Sequence, residues 1–241
     1  MLFRSGEKWV SALYQRGGWS EVSQAFTTLP QSTEQILHPE KYFTHEAPVR
    51  VTLPDISALL NARDARVSSG RWAVGSEQNS SRITHHSSLR QSLLTAHRSL
   101  PTSGWRRLDY DVQGEWDFYL ILDQFLKSPV ESRRAAAGWG GDRFEVYEGP
   151  KGEVLYISLS TWDTENDARE FFDAYVKRTQ LRYSDTTPLS STDAKPLTPD
   201  SRAFHTSEGG VVIDLLGDRV LVVEGYPRGI ANGALEQALW K

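Results

Sequence analysis

Phe144-Glu145-Val146-Tyr147-Glu148, then Gly149-Pro150-Lys151-Gly152, then Val154-Leu155-Tyr156-Ile157-Ser158-Leu159-Ser160 is the stretch on which the fold turns. Aromatic and β-branched residues recur at strand spacing on both sides of a Gly-Pro-Lys-Gly turn, which is the pattern of a β-hairpin. Downstream, Thr164 and Asp167 stand in the S/T-x-x-D/E spacing of a helix start, and Ala168, Phe171, Phe172, Tyr175 and Val176 then form an i, i+3, i+4, i+7, i+8 stripe. Such a stripe packs on a sheet. A polar, proline-containing loop over 184–199 leads to three further strands at 202–206, 211–216 and 219–224, with turns placed at Gly209-Gly210 and Gly217-Asp218 and a closing helix over 230–240. Residues 139–241 therefore read as an antiparallel α+β domain.

Working back from the hairpin, Gly138-Trp139-Gly140-Gly141-Asp142-Arg143 carries a helix into a strand. A phosphate-binding loop runs the other way, from strand to helix N-terminus, so these glycines read as a tight lead-in with positive φ and Trp139 as its anchor. Before it, residues 130–137 make a short helix opened by Ser128-Pro129. Residues 109–127 read as a central helix, apolar round more than half its circumference; of its acids Glu115, between Gly114 and Trp116, is the one best placed to face a pocket, and the alternative is an exposed or salt-bridged Glu115. Residues 105–138 complete a helical region that begins with residues 1–60. The fold class expected is α+β, an N-terminal helical region followed by an antiparallel β-sheet with helices packed on one face.

The N-terminal segment opens with apolar residues Trp9, Val10, Leu13 and Tyr14 at helical spacing, stopped by Gly17-Gly18. A second helix is capped by Ser20, and Ser32 with Gln35 forms the S-x-x-Q box of a third, which Pro39 limits. Residues 49–53, between Pro48 and Pro54, form an edge strand or a tie across the surface. The densest chemistry lies in Ser32-Thr33-Glu34-Gln35-Ile36-Leu37-His38-Pro39-Glu40-Lys41-Tyr42. On a helix Glu34 and His38 share a face, as a general base and its orienting partner or two metal ligands do. Glu40, Tyr42, His45 and Glu46 lie close enough to join them. A first-turn glutamate also serves the helix dipole, and a histidine before proline also serves a turn.

Residues 61–104 read as a flexible Ser/Arg-rich insertion without sustained apolar period. His85, His86 and His97 fall within it, either as metal ligands or, with no carboxylate beside them, as solvated side chains.

Composition narrows the classes. A chain of 241 residues with 39% hydrophobic residues, eight Trp, nine Tyr and nine Phe has enough apolar material for a real core. A net charge of −4 offers no electrostatic footprint for nucleic acid, and zero cysteines exclude disulfides, thiolate metal sites and cysteine nucleophiles. The N-terminal residues lack the apolar run of a secretion signal, and no apolar stretch approaches a membrane span. As written, the chain is expected to stay where it is made, cytoplasmic by default.

Gly17-Gly18-Trp19, the Ser32 to Tyr42 motif, Gly114-Glu115, Gly138 to Arg143, and Trp162-Asp163-Thr164 with Asp167-Ala168 and Phe171 resemble the downstream part of an uncharacterised prokaryotic family of zincin-like metallopeptidases. Fuller members resemble zinc enzymes with an upstream H-E-x-x-H helix, and many are exported or lipid-anchored. This sequence has no H-E-x-x-H, so the resemblance implies the non-metal-binding portion of such a protein, inactive as an isolated chain. Zinc is expected only if an upstream region supplies it, and export only if the chain is truncated. Under this reading Glu34, His38 and Tyr42 are the catalytic-subsite candidates, with Glu40, Glu115, Trp139, Asp142 and Arg143 as binding candidates and no metal ligand in the chain itself. The alternative is a protein- or ligand-binding scaffold without catalysis, in which Trp139, Trp162 and Tyr147 line a groove for a protein or peptide partner.

Overall fold

In the computed structural model of the chain, residues 2–68, 104–188, 200–226 and 234–241 are described. His85, His86, His97, nearly all of the Ser/Arg-rich segment and most of the 184–199 loop lie outside them. The element order is α1 (Leu2–Gln24), α2 (Thr33–Leu37), α3 (Pro39–Phe43), α4 (Ser57–Ser68), β1 (Arg106–Asp111), α5 (Gly114–Leu126), α6 (Pro129–Ala136), β2 (Trp139–Glu148), β3 (Val154–Trp162), α7 (Glu165–Arg182), β4 (Thr187–Pro188), β5 (Asp200–Thr206), β6 (Gly209–Leu216), β7 (Arg219–Tyr226) and α8 (Ala234–Leu239). The class is α+β, as the hairpin predicts.

The strands form one seven-stranded sheet in the order β1-β2-β3-β7-β6-β5-β4, antiparallel at every described pairing. The predicted hairpin supplies its second and third strands, paired Glu145 to Ile157 and Tyr147 to Leu155, and β7, laid against β3, is the central strand. On one face the α7 stripe, Ala168, Phe171, Phe172 and Tyr175, packs with Phe118 and Leu122 of α5 over Trp139, Trp162, Val220 and Val222. Thr164 caps α7, accepting from Asp167 N–H at 3.2 Å and donating to its carboxylate at 2.6 Å.

The opposite face is covered too, which extends the expected single helical layer. Ile56, Leu60, Leu235 and Leu239 pack there with Trp105 against Tyr147, Leu155, Ile157, Leu159, Leu221 and Val223. The reason lies in β7, where Val220 and Val222 belong to one core and Leu221 and Val223 to the other; a sheet apolar on both faces must be covered on both. Trp139 and Trp162 sit in the first core and Tyr147 in the second, all essentially inaccessible. The aromatic groove expected from these three rings is therefore not formed, since they lie on opposite faces of one sheet.

Three local readings are corrected. The helix expected over 109–127 is a strand followed by a helix that starts at Gly114. Leu108, Tyr110 and Val112 alternate with Asp109 and Asp111, and each aspartate accepts the N–H of the next residue at 2.8 Å, a bond a helix would have directed four residues back. Arg106 and Arg107 then pair across to Glu148 at 2.5 Å and Glu145 at 2.7 Å. In the β5–β6 connection the turn residues are Ser207 and Glu208, two residues earlier than expected, and Gly209 and Gly210 open β6. Thr206 Oγ1 closes the turn by donating to Gly209 O at 2.7 Å. In the lead-in to β2 only Gly138 has positive φ, +77°, and the strand starts at once with Trp139. Gly141 is required for a different reason: a Cβ there would lie 2.1 Å from Val49 O. Residues 49–53 run across β2 as the surface tie, held by Val49 N–H to Gly140 O at 2.7 Å.

The helical region also extends past residue 60, because α4 runs to Ser68. At the N-terminus α1 consists of two helical segments broken at Gly17 and Gly18, the latter at φ +65°, as the double glycine predicts. Leu13, Ala25 and Tyr42 form a small satellite core there with Trp9 and Phe43. Among the described residues no helix is long and apolar enough to cross a membrane.

Candidate functional site

The N-terminal motif is seated on the start of α5. Ser32 caps α2 by accepting Gln35 N–H at 3.2 Å, and the buried Gln35 side chain accepts Gln31 N–H and donates to Glu46 O, both at 2.7 Å. One short polar side chain thus closes the loop around both helices. Thr33 Oγ1 accepts Trp116 N–H at 3.3 Å and sits where a Cβ on Gly114 would lie, 2.6 Å away. Gly114, at φ +75°, lets α2 approach this closely.

Helix starts leave N–H groups unsatisfied, and here Asp142 takes two of them. Its carboxylate accepts Gln113 N–H at 3.0 Å, Gly114 N–H at 2.9 Å and the Trp139 indole at 2.9 Å. Burial raises the Asp142 pKa and these three donors oppose the rise. Asp142 and Trp139, both binding candidates, therefore hold the α5–β2 junction together.

The proposed catalytic trio is divided. Tyr42 is buried beside Trp9, and its hydroxyl donates to Thr28 O at 2.6 Å, away from any cleft. Glu34, only 3% exposed, meets Lys41 Nζ at 2.7 Å. Burial lifts its pKa to about 7 from an ordinary 4.5, with Lys41 pulling it down. His38, between α2 and α3, points elsewhere: its Nε2 is 2.9 Å from Glu115 Oε1, and its Nδ1 is 3.7 Å from exposed Glu40. The Glu115 bond raises the His38 pKa, against burial.

Lys41, which sequence reasoning assigned no role, is the organising cation. Its ammonium contacts Glu34, Glu46 at 2.8 Å and Asp163 at 2.6 Å, joining the motif to the end of β3. Burial disfavours the charge, and the three carboxylates more than compensate, raising its pKa. A buried glutamate needs a cation in reach, and that need was the available signal for Lys41. Nothing local pointed to Asp163.

The same three carboxylates bring one oxygen each within 4.8 Å of one another, the spacing of a metal site. They do not fit the zinc that the metallopeptidase resemblance implies. All three donors are oxygens, suited to harder cations, and Lys41 Nζ already bridges them.

His38 and Glu115 lie on a cleft of about 630 Å³ between α1, α5 and α6. Leu37, Trp116, Tyr119 and Ala137 give it an apolar lining, and Lys8, Arg133 and Arg134 add positive charge. Two polar atoms of its residues are buried without a protein partner, Glu115 Oε2 and Trp116 Nε1. Arg143 is not here. It lies on a second cleft, of about 700 Å³, beneath residues 49–53.

No curated protein and no solved structure matches the chain. Residues 98–234 match the family described as Domain of unknown function (DUF8575), a span that covers the whole sheet and α5 to α7 and leaves the 32–46 motif outside. The chain belongs to that family.

Proposed function

We propose that this chain is a ligand-binding module without chemistry of its own, and that the cleft of His38, Glu115 and Trp116 takes a short apolar peptide by both its termini. One observation carries this reading: adjacent residues leave an acceptor, Glu115 Oε2, and a donor, Trp116 Nε1, buried and unpaired at the same cleft. Each costs roughly 1–3 kcal/mol while unsatisfied, a cost that a ligand supplying both partners removes. A peptide ammonium matches Glu115, its carbonyl matches the Trp116 indole, and its carboxylate matches Lys8 and Arg133, Arg134 being paired with Glu170 at 3.3 Å. The apolar side chain lies against Leu37 and Tyr119. Catalysis is disfavoured because Tyr42 and Glu34 are committed to Thr28 and Lys41, which leaves His38 alone.

Calorimetric titration with leucyl-leucine and its N-acetyl and C-amide forms tests the proposal. Binding is expected to the wild type, to weaken with either blocked form, and to vanish in Ala137→Trp, which fills the cleft. No binding of any form to the wild type overturns it, as does recovery of cleaved peptide.

A second reading, the non-metal-binding portion of a metallopeptidase-like protein, is favoured by His38 itself. An imidazole oriented by a carboxylate beside an open cleft is a donor suited to a developing oxyanion. That reading expects the isolated chain to be inactive; chelator-sensitive hydrolysis with stoichiometric zinc would remove it.

A further inference from the structure

The second cleft is lined on one side by residues 49–53 and on the other by β1 and β2. Three guanidinium groups face it, those of Arg50, Arg107 and Arg143. Arg107 and Arg143 lie 4.6 and 4.3 Å from the centroid of one ring, half-exposed Tyr110. Only Arg107 is neutralised, by Glu145 at 2.7 Å, and that carboxylate also accepts the Tyr147 hydroxyl at 2.5 Å. Asp142, the other acid on the cleft, is taken by two backbone N–H groups and the Trp139 indole. Among the described residues neither Arg50 nor Arg143 has a carboxylate within ion-pairing distance.

Two cations gathered round one ring, with a third beside them and one carboxylate to balance all three, make a concave positive site on a chain whose net charge is −4. Repulsion among the guanidiniums falls when an anion enters, and the planar, multidentate fork of arginine suits oxyanions carrying several oxygens. We propose that this cleft binds a small dianion, a phosphate monoester or a dicarboxylate, held between Arg50 and Arg143 with its apolar part against Val51 and Leu53. The proposal is independent of the peptide cleft.

The probes are inorganic phosphate and succinate, titrated into the full chain at constant ionic strength and followed by calorimetry. Saturable binding of phosphate alone assigns a phosphate site, and of succinate alone a dicarboxylate site. In either case Arg143→Gln and Arg50→Gln are each expected to weaken it roughly tenfold or more, the scale of one hydrogen bond to a charged group. Arg143→Lys, which retains the charge, recovers part of the affinity and serves as the readable variant if Arg143→Gln misfolds. Ala137→Trp, in the other cleft, leaves the binding unchanged. The proposal is overturned if neither probe binds saturably, or if binding is indifferent to both arginine substitutions.

Discussion

Lys41 Nζ lies 2.6 Å from Asp163 Oδ2, a contact between residues 122 positions apart. It anchors a helical motif outside the family-matched span to the bend that follows β3, the second strand of the hairpin. With Glu34 and Glu46 on the same ammonium, the contact makes the motif part of the folded unit.

Replacing that cation leaves carboxylates without a partner in a partly dry site. Lys41→Met is expected to destabilise the chain by about 3 kcal/mol, the scale of a broken buried ion pair. Adding Glu34→Gln should recover part of the loss. Urea denaturation of the two variants checks this, and a wild-type midpoint for Lys41→Met would contradict it.

Glu34 makes stability pH-dependent in a defined direction. With its pKa raised by burial to about 7 from an ordinary 4.5, the folded chain holds a proton that the unfolded chain has released between those values. The folded state binds more protons there, so the Glu34 contribution to stability falls as pH rises from about 4.5 to about 7 and is level above that window. Lys41 remains charged through Asp163 and Glu46, so the loss is confined to Glu34. His38, whose pKa is raised above an ordinary 6.5, contributes in the same direction but only from about pH 6.5 upward, and the difference between wild type and Glu34→Gln isolates Glu34. A difference that grows with pH across the window would mean that Lys41 keeps Glu34 ionised.

Gly141→Ala should cost about 1–3 kcal/mol, the usual range for overpacking, because the new methyl would meet Val49 O at 2.1 Å. The backbone of residues 49–53 must then lift off β2. Since those residues also wall the second cleft, phosphate or succinate affinity should fall with stability, measurable on one sample by thermal melting and calorimetry.

Tyr42→Phe separates a structural role from a functional one. It removes the 2.6 Å bond to Thr28 O and should lower stability by about 1 kcal/mol while leaving peptide affinity unchanged. His38→Gln should do the reverse, changing affinity more than stability, because the ring is partly exposed at the cleft. Peptide titrations and denaturation curves of the pair decide it; equal losses of affinity would return Tyr42 to the site.

Much of the fold was legible because its determinants are local. The hairpin follows from strand spacing around Gly149-Pro150-Lys151-Gly152, α7 from its Thr164 cap and apolar stripe, and the break in α1 from Gly17-Gly18. Each depends on residues within a few positions of one another. Where the same local reasoning failed, two periods competed: the 106–112 stretch carries aspartates that satisfy their neighbours' N–H groups in a strand, next to a true helix whose apolar residues extended the helical reading backwards.

The sequence by itself determined the class, the hairpin, the caps and the chemical richness of residues 34–42. Only the tertiary structure decided what that chemistry faces. It turns Tyr42 into a satellite core, ties Glu34 to Lys41 and Asp163, and sets His38 alone against Glu115. Partners 77 and 122 residues away cannot be read from local periodicity. They are brought together by the docking of α2 on the glycine start of α5, where Gly114 leaves room for Thr33.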